Sequence, residues 1–274
     1  MARPPRSRSR TRAQARNIAE QRAGYLKLAA AVVIIGAVAA VYYMVLRSNR
    51  TLDPVTLCPD SPSSVTVLLV DVTDPMNLPQ RQDFRNQFVR LKTSIPRYGQ
   101  LTVVRVDATA SDLLRPIIVR CNPGTAADTN DWWGNRDRLQ RQWSKGFDKP
   151  LSEAFDKIAV GSGATQSPIM ESIQSVALTE LQEQDTPRRL LVASDLLQNT
   201  DAMSFYRGLP EPAEFIASDA FRRVRTNLRG VDVELWQLQR SDSGTTQPRA
   251  LSQLWEHVIE EQGGSVSRIY NVSG

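Results

Sequence analysis

The sequence predicts a single doubly wound α/β domain over residues 65–274, a mostly parallel sheet covered by helices on both faces and preceded by one transmembrane helix. Three observations carry this. The runs VTVLLV (65–70) and RRLLVAS (188–194) are apolar on both faces, as in strands buried from both sides. Segments with helical spacing separate the strand-like runs, the alternation of βα units. A 19-residue stretch without charge, LAAAVVIIGAVAAVYYMVL (28–46), stands apart from this pattern.

Taken in order, VTVLLVD is a buried strand, and QRQDFRNQFVRLKTSI (80–95) puts Phe84, Phe88, Leu91 and Ile95 on one helical face. LTVVRVDA (101–108) is a second strand, and RPIIVRC (115–121) a short third whose Pro116 suits a sheet edge. A polar segment with Trp132 and Trp133 becomes helical near Asn135, with Leu139, Trp143 and Phe147 inward. SPIMESIQSVALTELQ is a helix with Pro168 in its first turn. After the 188–195 strand, AEFIASDAFRRVRTNLRG reads as one helix closed by Gly230, with Phe221, Val224 and Leu228 inward. VDVELWQLQ is a strand, PRALSQLWEHVIEEQGG a helix, and SVSRIYNV the last strand.

The net charge of +5 is concentrated at the start. Residues 1–27 hold seven arginines and Lys27 against Glu20, and the remainder of the chain is close to neutral. This arm is too rich in Arg, Ser and Pro to fold, and no nucleic-acid partner is expected of it. The apolar run after it approaches the roughly 20 residues that span a bilayer, and Tyr42 and Tyr43 fit the interface. The charge asymmetry leaves residues 1–27 cytoplasmic, 28–46 in the inner (plasma) membrane, 47–64 as a Pro/Ser-rich linker, and 65–274 extracytoplasmic or periplasmic. There, Cys58 and Cys121, the only two cysteines, could form one disulfide; in a reducing compartment they are two buried thiols.

Two strands end in an acid, Asp71 and Asp195, where open α/β sheets place their ligand crevice. The loop GSGATQSP adds Thr165 and Ser167 ahead of a helix. Carboxylates and hydroxyls on one rim are hard oxygen donors of the kind Mg²⁺, Mn²⁺ or Ca²⁺ prefers. No phosphate-binding loop with a lysine and no nucleophile elbow is present, and one histidine gives no support to a hydrolase triad. The chain is therefore read as a non-enzyme.

This element order, with its motifs, resembles the von Willebrand factor A domain, a Rossmann-like fold, and its metal-ion-dependent adhesion site. Of that family's Asp-x-Ser-x-Ser motif, DVTDP supplies Asp71 and Thr73, while Pro75 stands where the second Ser belongs. SPIMESI places Ser167 in the position of the family's Thr, and Asp195 in VASDLLQN matches its later Asp. The resemblance implies Mg²⁺ or Mn²⁺ bound by Asp71, Thr73 and Ser167, with Asp195 an outer ligand through water and Thr165 and Asp74 as alternates. It also implies a protein partner whose acidic residue completes the coordination. Apart from the resemblance, Trp132 and Trp133, in a polar Asn/Asp/Gly loop, are read as an exposed partner-binding patch or a lid packed on the sheet. Two competing readings are a metal-dependent phosphatase with Asp71 as nucleophile and a metal-free structural subunit of an envelope complex.

Overall fold

Six strands form one sheet in the order β3-β2-β1-β4-β5-β6: β1 (Val65–Val70), β2 (Gln100–Arg105), β3 (Ile118–Cys121), β4 (Arg188–Ser194), β5 (Val231–Leu238) and β6 (Ser265–Val272). The computed structural model describes residues 24–25, 27–43, 51–72, 76–107, 113–129, 135–158, 164–182, 185–239 and 249–272. All pairings are parallel except that of β3, which runs antiparallel to β2 at the edge.

Alternation along β1 divides the core in two. Val67 and Leu69 face one side with Ile169, Ile173 and Trp255, and Leu68 and Val70 face the other with Phe84, Phe88 and Phe155. All six residues of β1 are buried, which is why the strand reads as a continuous apolar run.

Helix α1 (Leu78–Ser94) begins slightly before the periodic segment, because Asn77 and Gln80 form a reciprocal capping box and Pro79 occupies the first turn. Its aromatic face stacks on α3 (Lys149–Ile158), the Phe88 and Phe155 rings lying 4.5 Å apart. Helix α2 (Arg136–Trp143) enters α3 through a π-helical turn at Ser144–Asp148. There the ammonium of Lys92, only 3% exposed, is held by Asp148 and by Ser152 Oγ at 2.7 Å. Helix α4 (Ile169–Thr179) follows Pro168.

The single helix expected over AEFIASDAFRRVRTNLRG is two, α5 (Pro212–Ala217) and α6 (Asp219–Val224). Ser218 is extended and its hydroxyl accepts from Phe221 N at 3.1 Å, so the local cap overrides the helical spacing. Phe221, Val224 and Leu228 are nonetheless buried. Gly230, at φ +73°, makes the turn into β5. Helix α7 (Arg249–Glu261) packs Leu251, Leu254, Trp255 and Val258 inward.

The chain divides into two compact units, Met1–Thr51 and Leu52–Gly274. In the first, residues 27–43 are helical. At 1.5 Å per residue they rise about 26 Å, and among the described residues no helix is long and apolar enough to cross a membrane. In the second unit, residues 52–58 form a turn that meets the end of β3 at Cys121. Asp53 Oδ1 accepts from Val55 N and Thr56 N, Cys121 N donates to Thr56 O at 2.9 Å, and Cys58 is disulfide-bonded to Cys121.

Candidate functional site

β1 and β4 lie side by side, yet the strand after β1 pairs on one flank and the strand after β4 on the other. That reversal opens a crevice at the carboxyl ends of the two strands, where ligands of such sheets bind. Asp71 is the first residue beyond β1, held against β4 by a 2.8 Å bond from its N–H to Ala193 O. Ser194 ends β4 and Asp195 follows it.

Ser167 reaches the same point from the segment before α4. A short antiparallel bridge fastens it to Asn199, with N–H to carbonyl distances of 2.8 and 3.0 Å. Gln198, fully buried, reinforces the joint by accepting from Met170 N and donating to Glu171. The loop after β4 thus carries the start of α4 to the sheet.

The outcome is a buried polar cluster. Ser167 Oγ donates to Asp71 Oδ2 at 2.6 Å, and Ser194 Oγ donates to the same oxygen at 2.9 Å. Ser194 Oγ in turn accepts from Leu196 N at 2.9 Å, and Asp195 Oδ1 accepts from Leu197 N at 2.9 Å. The Tyr206 hydroxyl lies 3.5 Å from Asp195 Oδ2. Asp71 is 3% and Asp195 6% exposed. Leu196 adopts a left-handed φ of +64°, costly for a side chain with a Cβ. It is held there by its own burial and by a 2.9 Å bond from Trp255 Nε1 to its carbonyl.

Electrostatics follow from this packing. Burial first, and then the nearby charge of Asp71, push the Asp195 carboxyl up to about 7, against the opposing bonds from Leu197, Tyr206 and Ser194. Burial and the same two acids raise the Tyr206 phenol as well. A buried carboxyl whose charge is disfavoured beside a second acid, with hydroxyls around it, suits a hard divalent cation, which would offset that cost. Because the Ser167 hydroxyl donates its hydrogen bond to Asp71, its lone pairs stay available to such an ion. The residues present therefore fit one, although among the described residues no three His, Cys, Asp or Glu side chains cluster to hold a metal.

Of the residues singled out in the sequence, Asp71, Ser167 and Asp195 converge. Thr165 is exposed, and its carbonyl accepts from Asn199 Nδ2 at 2.8 Å. Thr73, Asp74 and Pro75 lie outside the described residues, as do Trp132 and Trp133. Ser194 and Tyr206 were not anticipated. Ser194 had a signal, a hydroxyl residue directly before the acid in VASD; Tyr206 had none, since only the folded loop brings it back to Asp195.

No protein-family model and no curated protein sequence matches the chain. Similar solved structures include the VWA domain of SpRpn10, at 9% identity and a TM-score of 0.40, covering 76% of this chain and 87% of that one. Conserved hypothetical protein BatB from Bacteroides thetaiotaomicron is 11% identical with a TM-score of 0.42, covering 76% and 91%. A von Willebrand factor type A structure from Catenulispora acidiphila is 10% identical with a TM-score of 0.39, covering 78% of this chain and 40% of that one. Two of these three are von Willebrand factor A domains by name.

Proposed function

We propose that this chain is a membrane-anchored, extracytoplasmic interaction domain that captures another protein through a divalent cation at the crevice between β1 and β4. The observation that carries the reading is the convergence of Ser167 and Ser194 on one buried oxygen of Asp71, with Asp195 beside them. Asp71 and Ser167 would hold Mg²⁺ or Mn²⁺, with Asp195 acting through water. When bound, the ion supplies an open coordination position for a carboxylate of the partner. Asp71 keeps Ser167 oriented by accepting its hydrogen bond, and the Ser167–Asn199 bridge fixes the start of α4 to the loop after β4. Support for the anchor is the uncharged run 28–46 behind the arginine-rich arm.

The test is the thermal midpoint of the full-length chain in EDTA and in millimolar Mg²⁺ or Mn²⁺, beside Asp71→Ala. A ligand of the native state stabilises by mass action, about 2.7 kcal/mol at a hundred times its Kd. The expected result is a metal-dependent rise that the variant lacks. An unchanged wild-type midpoint sinks the cation-assisted mechanism and leaves a metal-free scaffold.

A further inference from the structure

The two edges of the sheet are treated differently. β3 is four residues long, and a turn at residues 52–58 meets its end, with Cys121 N bonded to Thr56 O and the Cys58–Cys121 disulfide fixing the turn there. β6 at the other edge has eight residues, contains no proline, lysine or glycine, and among the described residues pairs with β5 alone. Natural sheets blunt such edges with charge, proline, short strands or bulges. Here Arg268 is the one charged residue, and the one irregularity, near Ser267, leaves Arg268–Val272 in regular register.

The register also says which backbone groups point outward. Gln239 N donates to Val272 O, so the backbone of Val272 faces β5. Strand alternation then turns Tyr270 the same way, and turns the N–H and C=O of both Ile269 and Asn271 to the open side. Side chains alternate independently across the sheet. Tyr270 bonds Asp83 of α1, whereas Ile269 packs on the opposite core.

We propose that this edge is a self-association site, in which β6 pairs antiparallel with β6 of a second copy about a two-fold axis at Tyr270. In that register Ile269 lies opposite Asn271 of the second copy, and Asn271 opposite its Ile269. All four outward-facing residues become hydrogen-bonded pairs, and the two sheets join into one of twelve strands. Tyr270 meets Tyr270 in the closer, non-bonded position, and Arg268 meets Val272, so the only charge in the strand never faces its copy. It is this self-complementarity that selects a second copy over an unrelated peptide.

The experiment is the mass of the full-length chain in detergent, by light scattering, for wild type, Asn271→Pro and Tyr270→Cys. Asn271 is exposed, and proline there removes an outward N–H while sparing the β5 ladder. Expected are a wild-type dimer, a monomeric Asn271→Pro with a near-wild-type thermal midpoint, and a Tyr270→Cys chain that oxidises to a covalent dimer. Should the proline variant fail to fold, the Tyr270→Cys cross-link decides alone. A monomeric wild type, or a dimer that survives Asn271→Pro while Tyr270→Cys stays uncross-linked, overturns the proposal.

Discussion

Replacing Asp195 by asparagine should reverse the way the stability of this protein responds to pH. Burial and Asp71 raise the Asp195 carboxyl from 3.8 to about 7, so between about pH 4 and 7 the folded chain retains a proton that the unfolded chain has released. Stability is then greatest at the acid end of that window and falls as pH rises through it. That rise corresponds to about 4 kcal/mol, of which roughly 3 kcal/mol disappears between pH 5 and pH 8. The amide that Asp195→Asn introduces carries no charge at either pH, and its oxygen can still accept from Leu197 N. Urea denaturation in EDTA at the two pH values should show the wild type losing stability while the variant stays level and exceeds it at pH 8. Adding Mg²⁺ should restore the wild type at pH 8, because a cation favours the ionised carboxyl. Two curves that fall in parallel in EDTA would refute the view that the burial of Asp195 beside Asp71 controls this titration.

Three other outcomes follow from the packing. Replacing Cys58 and Cys121 by serine opens a loop with a sequence separation of 63; the chain-entropy model gives a loss of about 4 kcal/mol, readable as a lower urea midpoint. Lys92→Ala removes the partner of Asp148 and Ser152 under the π-helical turn and should cost about 2 kcal/mol, with Lys92→Met recovering part of it through packing. Trp255→Phe breaks the bond to Leu196 O and leaves a small void. It should cost about 2 kcal/mol, and amide exchange at Leu196 and Leu197 should accelerate more than exchange in β1.

Much of the architecture is legible because the strands and helices differ in period. β1 and the body of β4 are apolar runs buried on both faces, and the acids that follow them mark the crevice. The split at Ser218 escaped the periodic reading since Phe221, Val224 and Leu228 stay on one inward side even where the helix has ended. Nothing in the spacing of α1 marks Lys92 as buried; its ammonium is held by Asp148, 56 positions later. Tyr206 reaches Asp195 because the loop after β4 folds back on itself, through the Asn199–Ser204 bridge and the bond from Phe205 N to Gln198 O, a turn that no periodic pattern encodes.

The Cys58–Cys121 bond has a mechanical meaning as well. Tension entering through the residues before Leu52 passes at Cys58 directly into Cys121 at the sheet's edge. β1, α1 and β2 sit inside the covalent loop, off the line of force. Pulling on the residues before Leu52 therefore bears on Cys121 at the sheet's edge, and Asp71, inside the loop, keeps its place beside Ser167 and Ser194 while the disulfide carries the load.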